Sequence, residues 1–234
     1  MLNATVAELL AEPGPVGAVV LAALNRDGSG LTGQQPVTEL FRSSGLSDEL
    51  FNSLVSPNPI TRASAARLCG ALRLTRSVMW IADLLRDPNP KVRDAATRSL
   101  GQLGGRRSVE ALMAEVDSIP LHRLAITLAA AASDLDIEAL MRQPASEKSA
   151  LATVLACGLR HDTLRVPPLL GITHDRRWPQ PVRLAACRAL GMIGDMAASD
   201  GLGLLAAKDP DAGVKKAAAL AQRRLQRAAG MTPA

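Results

Sequence analysis

Asn25, Asp27 and Ser29 alternate ahead of Gly30, the spacing with which the first half of a calcium-binding loop presents oxygen ligands before its sharp turn. The second half of such a loop closes on a bidentate carboxylate. Here that place holds Pro36, or Gln35 after a one-residue deletion, and Glu39 comes three residues too late. Asn25–Thr32 therefore reads either as a degenerate calcium loop or as a Gly-rich turn between helices. His122, His161 and His174 stand far apart, without the H-E-x-x-H or C-x-x-C company of a metal or redox site. Gly201-Leu202-Gly203 falls inside a predicted helix, where it cannot serve as a dinucleotide loop between strand and helix. Cys69, Cys157 and Cys187 are too few and too irregular for a disulfide framework or zinc site. No nucleophile with a base, no metal spacing and no phosphate cradle emerges, so the sequence predicts no catalytic residue, no cofactor and no metal.

The elements that carry these residues are helical. In Asp87–Ser118, Asn89 can cap a helix with its side-chain oxygen, and Pro90 suits the first helical position because its missing N–H has no partner to lose. Val92, Ala95, Ala96, Leu100 and Leu103 recur at helical spacing and define one apolar face. Gly104-Gly105 ends that helix, since a left-handed residue there is nearly free of steric cost only for Gly. A second helix is predicted from about Ser108, with Val109, Leu112, Met113 and Val116 inward. One such hairpin buries too little apolar surface to stand alone and needs neighbours of its own kind.

Those neighbours are in the sequence. A shift of 31 residues sets Pro57-Asn58-Pro59 on Pro88-Asn89-Pro90, Arg62 on Arg93, Gly70 on Gly101, Leu72 on Leu103 and Arg76-Ser77-Val78 on Arg107-Ser108-Val109. Ile137 to Met141 copies Val109 to Met113, Val166 to Leu170 takes the same place one unit later, and Val182-Arg183 with Ala189-Leu190-Gly191 repeats the first helix. Asp209-Pro210-Asp211 with Val214-Lys215 begins a last copy. Cys69 and Cys157 fall where the reference unit has Leu100, an inward position, so all three cysteines read as small buried hydrophobes.

The pattern D-P-x-P-x-V-R-x-x-A-A-x-x-L-G, a small turn, then V-x-x-L-(L/M), resembles bacterial HEAT repeats of the type also found in phycobilin lyases. The resemblance covers roughly residues 53 to 228. It implies an all-α fold, a right-handed α-solenoid of about five to six helical hairpins. Residues 1–52 match the repeat poorly and are expected to form a divergent helical N-terminal cap, with a repeat solenoid over 53–228 and a disordered tail over 229–234. The resemblance also implies that Arg62, Arg93, Arg183 and Lys215 form a ladder with Asp87 and Asp209 between successive repeats.

The composition fits close helix packing: there are two Trp, two Phe and no Tyr, so Ala, Leu and Val must fill the core. No apolar run reaches the roughly 18 residues of a membrane-spanning helix, and no cationic stretch precedes an apolar one as in a secretory signal. A cytoplasmic location is the expectation. Richness in Ala, Arg and Leu with few Lys points to a GC-rich bacterial source. The net charge is +5, and from Ala207 onward six cations face two anions, which places +4 of it at the C-terminal end.

Because this fold mostly supplies binding surfaces, the expected function is a non-catalytic protein–protein interaction scaffold or adaptor. The second helices of such solenoids line the concave side, where partners usually dock. Aligning the repeats places Met79, Asp83, Glu110, Glu138 and Arg142 outward there, with Trp80 beside them at the place Ala111 holds. These form the candidate partner-binding ridge. Trp80 is either an exposed interface anchor or a filler in an aromatic-poor core. Trp178 is expected to lie in an inter-repeat turn under a stacked Arg176 or Arg177.

Two alternatives remain open. Lys215, Lys216, Arg223, Arg224 and Arg227 make a basic C-terminal patch that is either the solvated face of a capping helix or a site for nucleic acid or an anionic membrane. The repeat subtype also allows a phycobilin-lyase-like, chromophore-handling protein.

Overall fold

The computed structural model describes residues 46–230, all of them helix, turn or short connection, with twelve α-helices and no strand among the described residues. The expected N-terminal cap up to residue 45, the Asn25–Thr32 loop and residues 231–234 of the expected tail lie outside the described residues. The chain forms two compact units that divide between Glu115 and Val116.

The first unit contains α1 (Leu46–Ser53), α2 (Pro59–Ala71), α3 (Val78–Asp83), α4 (Pro90–Leu103) and α5 (Gly105–Ala114). Single 3-10 turns, Thr75–Ser77 and Leu84–Arg86, flank α3. The caps read from sequence are made: Asn58 and Asn89 each accept through Oδ1 from the backbone N–H two residues on, at 2.9 Å, with Pro59 and Pro90 in the first helical position. Val92, Ala95, Ala96 and Leu100 of α4 are almost wholly removed from water, as are Val109 and Leu112 of α5. A fully buried Val or Leu side chain contributes about 1.5–3 kcal/mol, so this stripe anchors the hairpin. Two details differ from the sequence reading. Helix α5 resumes at Gly105, because Gly104 at φ +65° turns the chain in a single residue, and Met113 is only half-buried.

The second unit contains α6 (Leu121–Ala131), α7 (Asp134–Arg142), α8 (Glu147–Leu159), α9 (Val166–His174), α10 (Gln180–Ile193), α11 (Ser199–Lys208) and α12 (Ala212–Ala228). Here α6, α8, α10 and α12 pack side by side as the first helices of successive hairpins, and α7, α9 and α11 are the second helices. The first helices come close because small residues face one another. A Cβ built on Gly158 of α8 would sit 2.9 Å from the Cα of Ala189 on α10, and one on Gly70 of α2 would sit 2.8 Å from the Cα of Ser99 on α4. Ser99 uses that closeness: its hydroxyl donates to the Ala66 carbonyl across the helix pair at 2.7 Å.

Two rungs of the expected ladder are present. Arg62 grips Asp87 with two hydrogen bonds, Nε to Oδ2 at 2.7 Å and Nη2 to Oδ1 at 3.0 Å, and Arg183 Nη2 donates to Asp209 Oδ2. In both, the first-helix Arg reaches the acidic turn that opens the next repeat. The Asp87 carboxyl is held below the ordinary carboxylate range by the Arg62 guanidinium, against the opposing effect of burial. Arg93 directs its guanidinium at the carbonyls of Asp87 (2.8 Å) and Pro88 (3.0 Å), the contacts that Arg62 makes to Ser56 and Pro57 in addition to its carboxylate. Six residues before Arg62 stands Ser56, whose carbonyl, not a carboxylate, accepts from Arg62 Nη1 at 2.7 Å.

Candidate functional site

The outward residues of the second helices were the candidates, and each unit presents its own. In the first unit, Val78 and Ile81 turn α3 inward, which leaves Met79, Trp80 and Asp83 on its outer side. Met79 is 64% exposed and Trp80 41%. The Trp80 indole lies flat against Phe51 of α1, with ring centroids 5.3 Å apart and planes 13° from parallel. Trp80 is thus both things the sequence left open: one face fills a gap over Phe51, and the rest of the ring is open to solvent. Stacking with an offset geometry is worth about 0.5–1.5 kcal/mol beyond area burial, enough to fix the indole in place. On the neighbouring α5, Glu110 ion-pairs with Arg106 one turn earlier at 2.8 Å.

In the second unit, Glu138 and Arg142 are themselves an i,i+4 pair on α7, at 2.6 Å. Both edge a cleft of about 320 Å³ between α7 and α9, with Met141, Pro168 and Ile172 as apolar lining and Arg165 as its other cation. Leu135, one turn before Glu138, is largely exposed. Arg165 was not among the sequence candidates. It is nearly buried and held in place, with Asp162 at 3.3 Å from Nε and the Asp134 carbonyl 3.1 Å from Nη2. Arg160 joins the same corner through Asp134 and the Ala132 carbonyl. A signal for it existed: Arg165 precedes Val166 at the place where Ser77 precedes Val78 and Ser108 precedes Val109, a buried serine register replaced by a cation.

A second cavity in this unit, about 560 Å³, opens between the turns that lead into α8 and α10, lined by Pro144, Glu147, Asp175, Trp178, Pro179 and Val182 among others. Trp178 is half-buried there. Of the two expected stacking partners, Arg176 and Arg177, the second is otherwise engaged: the Arg177 guanidinium pairs with Asp175 at 2.9 Å and lowers that carboxyl below its ordinary range. Two donors on one short turn give Arg177 a better partner in a carboxylate two residues away than in an indole face.

The basic patch is carried by α12. Val214, Ala218, Ala221 and Leu225 bury one face against α10 and α11, so Lys216, Arg223, Arg224 and Arg227 are left exposed and Lys215 half-buried at the side. The helix contains no acidic residue, and no ion pair among the described residues involves any of the five cations.

The remaining reactive types have structural settings. Cys69, Cys157 and Cys187 are buried, and burial pushes their thiols up to about 12, about 11 and about 11. They are therefore protonated and poor nucleophiles at neutral pH. His161 has φ +52° in the position after α8 that Gly104 and Gly194 hold after α4 and α10, and Arg73 at φ +50° does the same after α2. His161 is a helix-terminating residue with an exposed side chain. No group of three or more His, Cys, Asp or Glu is placed to hold a metal among the described residues, and no described helix is long and apolar enough to cross a membrane.

Comparison with known proteins finds the HEAT-repeat family model matching residues 47–131 and 136–223. Among solved structures, human deoxyhypusine hydroxylase in complex with glycerol is similar at 17% identity and a TM-score of 0.41, over 92% of this chain and 100% of that one. The complex of CpcE and CpcF of phycocyanin lyase from Nostoc sp. is similar at 20% identity and a TM-score of 0.40, over 92% of this chain and 97% of that one. Comparison with curated proteins finds no match.

Proposed function

We propose that this chain, which belongs to the HEAT-repeat family, is a non-catalytic scaffold that binds another protein through the outer sides of its second helices. The observation that carries this reading is the Met79–Trp80 pair on α3, two large apolar side chains held in solvent, one of them fixed by its stack on Phe51. Aromatic anchors of this kind dominate interface energies, and an indole already immobilised loses little entropy on binding. Asp83 at the end of the same helix supplies a charge. The partner surface that fits is an apolar side chain to cover Met79 and Trp80, flanked by a basic residue for Asp83. In the second unit the cleft edged by Glu138, Arg142 and Arg165 likewise sets an apolar floor within a charged rim.

The test is an affinity capture from the native host with the tagged chain, beside Trp80→Ala, Glu110→Arg and Glu138→Arg variants, followed by titration of the purified partner. A stoichiometric protein whose Kd weakens tenfold or more on Trp80→Ala is the expected result, since truncating an anchor residue costs about 2 kcal/mol or more. A partner that binds all three variants as tightly as the parent would overturn the assignment of the binding face.

A further inference from the structure

The outer face of α12 is not used by the function proposed above, and its chemistry is unlike that of the other helices. At 100° per residue, Lys216, Arg223, Arg224 and Arg227 fall within an arc of about 100°, opposite the buried stripe of Val214, Ala218, Ala221 and Leu225. Lys216 and Arg223 are about 10 Å apart along the axis and Arg223 and Arg227 about 6 Å, at a rise of 1.5 Å per residue. One apolar side chain, Leu220, lies in this arc, 51% exposed. On the neighbouring α10, Arg188 is exposed at the repeat position that Leu220 holds on α12, five residues after Arg183 as Leu220 is five after Lys215, so the positive surface continues onto a second helix.

We infer that this face of α12, with Lys216, Arg223, Arg224 and Arg227, binds the phosphate backbone of a nucleic-acid duplex without reading its sequence. Four features favour that occupant. The charges of the row are all of one sign, with Leu220 the one apolar side chain among them, and a row of cations without an anion suits a line of phosphates. A protein interface instead has an apolar core with charges at its rim. Three of the four cations are Arg, whose planar fork pairs two phosphate oxygens at once. A helix that enters a membrane surface needs an apolar face to insert, and the apolar face of α12 is already buried against α10 and α11. The outward residues include no aromatic ring for stacking on unpaired bases, which selects duplex over single strand.

The test is fluorescence anisotropy of a labelled 20-base-pair DNA duplex with the full chain, at salt from 50 to 200 mM. Four phosphate contacts give a slope of log K against log salt of about −3.6, which is a loss of about 150-fold over that range. The double variant Arg223→Gln/Arg227→Gln halves the slope and reduces the loss to about 12-fold. Arg67→Gln, an exposed cation of α2 outside the patch, leaves the slope unchanged. Circular dichroism melts of each variant that match the parent assign the change to the patch and not to unfolding. No binding at 50 mM salt, a slope untouched by the double variant, or an equal fall with Arg67→Gln overturns the inference. Binding to vesicles with phosphatidylserine that is tighter than binding to the duplex overturns it too, in favour of a membrane.

Discussion

Asp209→Ala is expected to destabilise the chain far more than an ordinary surface charge would. The Asp209 side chain is 4% exposed and that of Arg183 6%, so the pair is shielded from water on both sides. Asp209 Oδ2 accepts from Arg183 Nη2, and Oδ1 accepts from the Asp211 backbone N–H at 2.9 Å, which shapes the turn before α12. Removing the carboxylate leaves the guanidinium buried with the Thr173 carbonyl, 2.9 Å from Nε, as its remaining acceptor. Breaking a buried pair from one side costs about 3–5 kcal/mol, because the surviving charge keeps its desolvation penalty and loses its compensation. For a chain of this size each kcal/mol moves the midpoint of thermal unfolding by about 2–4 °C, so a fall of roughly 6–20 °C is expected. Replacing both partners, Arg183→Met with Asp209→Leu, removes the stranded charge and should recover most of the loss. A chain melting by circular dichroism at pH 7 reads both. A midpoint for Asp209→Ala within about 2 °C of the parent, or a double variant worse than the single ones added together, would refute the reasoning.

Other outcomes follow from single features. His161→Gly should stabilise by about 0.5–1 kcal/mol, as the left-handed backbone costs a non-glycine residue about 1–2 kcal/mol and the added freedom of Gly in the unfolded chain returns about 0.5–1; a lower denaturation midpoint in urea contradicts it. Gly158→Ala puts a methyl 2.9 Å from the Ala189 Cα, and an overpacking cost of about 1–3 kcal/mol exceeds the roughly 1 kcal/mol gained in helix propensity; a stabilised variant would show that α8 and α10 have room to part. Asp87→Asn should cost about 1.5–3 kcal/mol at pH 7, the worth of hydrogen bonds to a charged group. The folded carboxyl of Asp87 titrates below the ordinary value of about 3.9, so its contribution is complete above that pH and is lost as the pH falls through the folded value; a gap between parent and variant that stays constant from neutral pH to about pH 2.5 counts against it. The three thiols should resist an aromatic disulfide reagent at pH 8 in the folded chain and react fully in denaturant; rapid labelling of any one in the native state disagrees with their burial.

Much of the fold was legible in the sequence because the signals are short-range. An Asn followed by Pro caps a helix whatever surrounds it, and both Asn58 and Asn89 do so. The periodic Val, Ala and Leu positions of α4 and α5 became the core because a helix turns by a fixed angle per residue, and the cysteines went inside with them. The ladder was legible in part: an Arg and an Asp that recur once per unit announce a contact between units, and Arg62–Asp87 and Arg183–Asp209 are made. Arg93 and Arg62 share their carbonyl contacts, as their matching local sequence requires, and they differ in that Ser118 stands 25 residues after Arg93 where Asp87 stands after Arg62.

Of the candidate site, the sequence by itself determined which residues face outward on the second helices and that the last helix is basic, since both follow from register alone. Only the tertiary structure decided what those residues meet. Phe51 lies a helical hairpin away from Trp80 in sequence, and whether the two rings stack depends on how α1 and α3 are set against their common neighbours. Arg165 joined Glu138 and Arg142 because α7 and α9 leave a cleft between them, and the size of a cleft is set by packed side chains from several helices at once. The left-handed turn at His161 belongs to the same class: the repeat requires a positive φ there, and packing on both sides imposes it on a residue whose own preference is against it.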